Sequence, residues 1–108
     1  MKKIAILFLF FSLICVNAQK KWTNYTKATG LASDLVYSIA IDASGDIWFG
    51  TFDGVSKFNG TIWKTYRQID GLAGNEVWSV AIDATGNKWF GTYGSGVSKF
   101  NGTTWTTY

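Results

Sequence analysis

Histidine and proline are absent from this 108-residue chain, and cysteine occurs once. Without histidine the usual general base and the commonest zinc ligand are missing, and one cysteine cannot close a disulfide within the chain. Most triad and metal chemistry is thereby excluded. Charge is also sparse: ten basic residues stand against seven acidic ones, a net +3. Two of the ten, Lys2 and Lys3, lie in the first few residues, and without them the balance is +1. No field of that strength gathers nucleic acid, and no basic run extends beyond Lys20-Lys21.

Long apolar runs are scarce too. The one that exists, residues 4–16 broken only by Ser12, follows Lys2-Lys3 and leads into Val16-Asn17-Ala18. This is the layout of a secretory leader, so residues 1–18 are expected to be cleaved. The run falls short of the roughly 20 apolar residues a spanning helix needs, so no stable membrane insertion is expected after cleavage. The mature chain is then periplasmic or secreted. A lipid-modified Cys15 is the rival reading; bulky Ile14 just before it, where lipoprotein leaders carry a small residue, argues against it. The mature chain has no cysteine and must persist outside the cytoplasm without disulfides.

What is abundant points elsewhere. Aromatics make up 18% of the residues and glycine occurs 12 times, a mixture suited to short pleated strands and tight turns. An all-β chain of one small domain's length is expected. Self-comparison then organises the whole. Residues 25–51 match 66–92 at an offset of 41, and 54–66 match 96–108 at an offset of 42, with one residue inserted between. Trp48-Phe49-Gly50-Thr51 returns as Trp89-Phe90-Gly91-Thr92, and Val55-Ser56-Lys57-Phe58-Asn59-Gly60-Thr61 returns unbroken from Val97 to Thr103. Trp22-Thr23-Asn24-Tyr25 is a third, partial copy of the unit's last segment.

Each unit holds four short apolar-rich runs, in the first copy 36–41, 46–52, 55–58 and 62–66, separated by turn residues. Asp42 to Asp46 reads as a four-residue hairpin capped by Asp. Asn59-Gly60 and Asn101-Gly102 read as two-residue hairpins in which both positions take positive φ. In the first run Tyr37, Ile39 and Ile41 alternate with Val36, Ser38 and Ala40, so both faces are largely apolar and need cover. Stacked copies of the same sheet provide it. The expected architecture is two four-stranded antiparallel β-propeller blades, residues 26–66 and 67–108, plus an orphan outer strand over 19–25. Two blades are an incomplete propeller of marginal stability, to be completed by further blades from a longer chain or by self-association.

The stretch from Val36 to Thr51, an apolar strand, Asp-x-x-Gly and then Trp-Phe-Gly-Thr, resembles the two-component regulator propeller repeat, and residues 77–92 resemble it equally. The resemblance implies a propeller of about seven blades in the extracytoplasmic sensor half of bacterial regulators, including hybrid histidine kinases that respond to glycans. It implies a non-catalytic binding module. The propeller lyases with comparable repeats use histidine, and this chain has none. A secreted structural or protein-interaction module is the other alternative.

The connection entering the first strand and that from second to third share one rim. There the copies differ most: 26–35 against 67–76, and Phe52-Asp53 against Tyr93-Gly94-Ser95, where the insertion falls. Repeat proteins place variation on a binding face. Asp34, Tyr37, Asp53, Asn75, Glu76, Trp78 and Tyr93 are therefore the candidate ligand-binding residues, aromatics beside carboxylates and amides that suit a small molecule or glycan. Tyr37 and Trp78 also admit a packing role. Trp48, Phe49, Trp89 and Phe90 are expected to fill the gap between blades. Asp42 and Asp83 lack the run of oxygens and the distal Glu of a calcium loop, so turn capping is expected and no metal or cofactor. The formal glycosylation acceptors at Asn24, Asn59 and Asn101 are incidental, because two coincide with turns.

Overall fold

The computed structural model describes residues 21–108; the leader reading and Cys15 lie outside the described residues. Eight strands follow one another: β1 (Val36–Ile41), β2 (Ile47–Thr51), β3 (Gly54–Phe58), β4 (Trp63–Tyr66), β5 (Val77–Ile82), β6 (Lys88–Thr92), β7 (Val97–Phe100) and β8 (Trp105–Thr107). Strands β1 to β4 form one antiparallel sheet in sequential order and β5 to β8 form another. A single 3-10 turn precedes each, Lys27–Thr29 and Gln68–Asp70. The chain is thus all-β, two four-stranded blades that do not close a ring.

Turn chemistry accounts for the sequential pairing. At the first hairpin Asp42 Oδ1 accepts the N–H groups of Ser44 and Asp46, and Gly45 takes φ of 85°. The Asn-Gly turns work differently from expectation. Only Gly60 and Gly102 have positive φ; Asn59 and Asn101 do not. Instead Asn59 Oδ1 accepts the N–H groups of Thr61 and Ile62, and Asn101 Oδ1 those of Thr103 and Thr104. A four-residue loop capped by the amide results, because the side-chain carbonyl satisfies two turn donors without strain at Asn.

Register assigns the faces. In the first blade Trp48, Gly50 and Val55 lie on one face with Tyr66, Ser38 and Ala40, and Phe49, Phe58 and Trp63 lie on the other with Ile39 and Ile41. The first face packs on the second blade. Trp48, Val55 and Tyr66 join Leu72, Val77, Phe90 and Phe100 in one core, with Val80, Ile82 and Trp105 at its edge. Trp48 is 2% exposed, its ring stacked on Tyr66 at 5.8 Å and tilted against Phe90 at 5.9 Å. Lys88 reaches over that ring from the second blade to Asp42, 3.8 Å away. Close approach needs Gly50, where a Cβ would stand 3.0 Å from the Val77 side chain and carbonyl.

Two expectations need correction. Strict alternation in the first strand fails: Val36 pairs with Thr51 but Ser38 with Gly50, so Tyr37 is an extra, bulged residue. Val36 therefore shares its face with Ile39 and Ile41, and Tyr37 does not. Of the orphan segment residues 21–25 are described; they pair with no strand of the two sheets, and Tyr25 lies on Phe58 and Trp63 at 5.3 and 5.7 Å, as Tyr66 lies on Phe100 and Trp105 at the same distances. Trp89, expected between blades, is only half-buried, since it occupies the outer face of the second blade.

The two tryptophans should therefore differ in weight. In dilute solution Trp48→Ala should cost about 3–5 kcal/mol, as for deletion of a buried aromatic, and Trp89→Ala clearly less, both read from the midpoint and slope of urea unfolding.

Candidate functional site

The rim expected to vary is assembled by backbone bonds between its two connections. Phe52 N–H donates to the Leu35 carbonyl and Tyr93 N–H to that of Glu76. The loop before β1 thus lies beside the β2–β3 turn, and the second blade repeats the arrangement.

At this rim both blades carry a bulge. Trp78 is the extra residue between the pairs Val77–Thr92 and Ser79–Gly91, as Tyr37 is in β1. A bulge turns its side chain away from the packed face, and here both extra residues are aromatic and half-exposed, at 46% and 52%. Their rings lie 5.9 Å apart and line an open hollow of about 300 Å³. Tyr93 stacks on Trp78 at 5.0 Å and 23°. The Trp78 indole N–H donates to Glu76 Oε1 at 2.9 Å, which fixes the ring's orientation. Tyr37, Trp78, Tyr93 and Glu76 form one strip across the two blades.

The other three candidates are engaged in the scaffold. Asp34 Oδ1 accepts the Lys27 N–H at 2.6 Å, and Asn75 Oδ1 accepts that of Gln68 at 2.7 Å. These are equivalent positions, and the bond needs only a side-chain oxygen, so Asp and Asn interchange there. Asp53 pairs with Arg67, Nη2 to Oδ2 at 3.3 Å, while Arg67 Nε donates to the Asp53 carbonyl. The hollow itself is lined by Tyr37 and Trp78.

The bulges were invisible in the sequence, because a strand with apolar residues on both faces shows no break in parity. A second device was legible and was missed: an aspartate stands six residues before a tryptophan in both copies. Trp48 Nε1 donates to Asp42 Oδ2 and Trp89 Nε1 to Asp83 Oδ2, each at 2.9 Å. Burial pushes the Asp42 carboxyl upward, but the Trp48 indole, the Asp46 and Ser44 N–H groups and the Lys88 charge outweigh it and hold it below the ordinary 3.8. At Asp83 the Trp89 indole, with Thr85 and Asn87, lowers the carboxyl further.

With the geometry in hand, comparison defines the class: an open pair of propeller blades. Residues 30–53 match the family model described as two component regulator propeller, and the second blade repeats much of that stretch. The crystal structure of the extracellular domain of a protein described as a hybrid two component system from B. thetaiotaomicron is similar, with 26% identity and a TM-score of 0.69. The match covers 84% of this chain and 13% of that one, so the chain spans a small part of its neighbour's length. No curated protein matches. Among the described residues no helix is long and apolar enough to cross a membrane.

The depressed aspartates make stability acid-sensitive. Since their folded pKa values lie below the unfolded one, the unfolded chain takes up protons first, and stability present above pH 3.8 is lost as pH falls through the folded values. Thermal midpoints should be level above pH about 5 and drop below it, with a shallower drop in the double variant Asp42→Asn, Asp83→Asn. At neutral pH Asp42→Asn should destabilise more than Asp83→Asn, because it also strands the half-hidden Lys88 ammonium.

Proposed function

We propose that the chain supplies two blades of an extracytoplasmic sensor propeller and that its variable rim binds a saccharide. The strip Tyr37–Trp78–Tyr93, held open across two blades with Glu76 locked to Trp78, is the observation that carries this reading. A sugar ring has an apolar face of C–H groups that lies against an aromatic ring and an edge of hydroxyls that needs acceptors and donors. The strip offers ring faces for the first and, for the second, the Glu76 carboxylate as acceptor, one oxygen of which takes the indole N–H, and the phenolic O–H groups of Tyr37 and Tyr93 as donors. The sensor class draws support from the family repeat and from the extracellular domain that the chain is similar to.

A non-catalytic role fits the same residues. The strip brings together three rings and one carboxylate, a set that holds a ligand and offers no nucleophile beside a base. The leader reading adds the compartment: export across the inner membrane would place the blades where extracellular glycans are met.

A glycan array probed with the purified chain should reveal a binder. Trp78→Ala and Tyr37→Ala should each weaken it by about tenfold, as expected when ring stacking worth about 1.5 kcal/mol is removed, while the near-ultraviolet spectrum of the remaining aromatics shows an intact fold. An array without a binder, or binding indifferent to both truncations, rejects the reading.

A further inference from the structure

Among the described residues three tryptophans donate the indole N–H to a carboxylate: Trp48 to Asp42, Trp89 to Asp83 and Trp78 to Glu76, each at 2.9 Å. The first two rings are also covered by ammonium groups. Lys57 and Lys88 stand over Trp48, with Nζ 5.3 and 5.2 Å from the ring centroid, and Lys99 stands over Trp89 at 5.6 Å. At Trp48 ring, carboxylate and cation form one set, since Lys88 Nζ lies 3.8 Å from Asp42 Oδ2, the oxygen that accepts the indole N–H. An ammonium so placed meets the negative face of the ring and the carboxylate at its edge together.

The pair at the variable rim has the ring and the carboxylate without the cation. Among the described residues no lysine stands over Trp78 and no cation bridges to Glu76, whereas Asp42, Asp46 and Asp53 each have one. The Glu76 carboxylate takes the indole N–H and no other hydrogen bond among the described residues. Tyr93 stacks on the indole at 5.0 Å, yet Trp78 stays half-exposed beside the hollow of about 300 Å³ that it shares with Tyr37. The repeat itself does not require this carboxylate, because the first blade has Leu35 in its place.

We infer that the saccharide bound at this rim carries a free amine, whose ammonium takes over Trp78 and against Glu76 the place that Lys88 holds over Trp48 and against Asp42. The inference rests on the saccharide reading of the strip and narrows it to amino sugars that are not acetylated. Tyr37, with its ring 5.9 Å from Trp78, gives the hollow a second aromatic wall for the same cation. Acetylation removes the charge and with it the reason for the carboxylate. A uronic acid or a sulfated sugar brings a second anion to Glu76, and the arginine of this rim, Arg67, is already paired with Asp53.

Calorimetric titration of the purified chain with matched ligands tests this. Glucosamine and galactosamine oligosaccharides are compared with their N-acetylated forms and with a lysine oligopeptide, which carries ammonium groups on no sugar. One of the free-amine sugars should bind about tenfold tighter than its acetylated form, as a cation held by a ring and a carboxylate warrants, and tighter than the peptide. Glu76→Gln keeps an acceptor for the indole N–H and removes the charge, so it should erase the difference between the two sugars while the near-ultraviolet spectrum stays unchanged. Equal affinity for free and acetylated sugars, both lost in Trp78→Ala, overturns the amine and leaves the saccharide reading standing. A preference for the amine that survives Glu76→Gln overturns the role of Glu76, and a lysine peptide bound as tightly as the sugars overturns the assignment to an amino sugar. If no glycan binds at all, the saccharide reading falls and this inference with it.

Discussion

The structure depends on one contact, the burial of Trp48 between two sheets. A four-stranded sheet with apolar residues on both faces cannot hide them by itself, and hairpin turns alone give a sheet no partner. In the first blade the face carrying Trp48, Val55 and Tyr66 is closed by Phe90, Phe100 and Trp105 of the second. The indole is also a polar group, and its N–H would be stranded in that core without Asp42. The aspartate that caps the hairpin therefore serves the interface as well, tying the end of β1 to the ring that β2 sends into the core. Lys88 adds a bond to the same carboxylate from across the joint.

That double duty explains why the rim opposite the hairpin is free to carry a site. With the Asp42 end of the blade fixed, the strands reach the other rim in a set register. There a bulge discharges one residue from the alternation. Val77 returns to the core at 0% exposure, and the extra residue is turned outward. An aromatic at that place adds little to the core and forms instead a surface shared by two blades, as the Tyr37–Trp78 contact does. The hollow exists only because the blades are packed, so interface and rim are coupled: whatever spreads the sheets separates the rings.

Much of this was legible in the sequence. The repeat, the four runs per unit and the turn residues located all eight strands to within a residue or two, and the need for stacked cover followed from apolar residues on both faces. The candidate site was legible in part. Variation between copies led to Tyr37, Trp78, Tyr93 and Glu76, which the fold gathers into one strip. It also led to Asp34 and Asn75, whose difference reflects only that either side chain offers the oxygen the loop needs. Asp53 drew notice beside the insertion, and its partner Arg67 lies fourteen residues on, a pairing no local pattern reveals. The bulges escaped because parity is unreadable where both faces are apolar, and the Asn turns were misassigned because Asn-Gly serves equally a two-residue turn and an amide-capped loop.

The distribution of differences between the two copies follows from the same mechanics. A residue in the interface between blades must fit its own sheet and the face opposite, and each position that packs there in one blade, Trp48, Gly50 and Val55 from the first and Phe100 and Trp105 from the second, has the same residue in the other: Trp89, Gly91, Val97, Phe58 and Trp63. The one large change among facing residues, Ile47 against Lys88, is accommodated because the lysine stem covers Trp48 and its ammonium finds Asp42. Residues at the variable rim answer to one side only. Leu35 against Glu76, Tyr37 against Trp78 and Phe52 against Tyr93 change size or polarity at half-exposed positions, where the rings meet one another at the rim and not in the close-packed core, and the insertion at Gly94-Ser95 falls in the turn of that same rim. The interface between blades thus holds one set of positions constant and releases another, and the released set is where two otherwise similar blades can present different chemistry to a ligand.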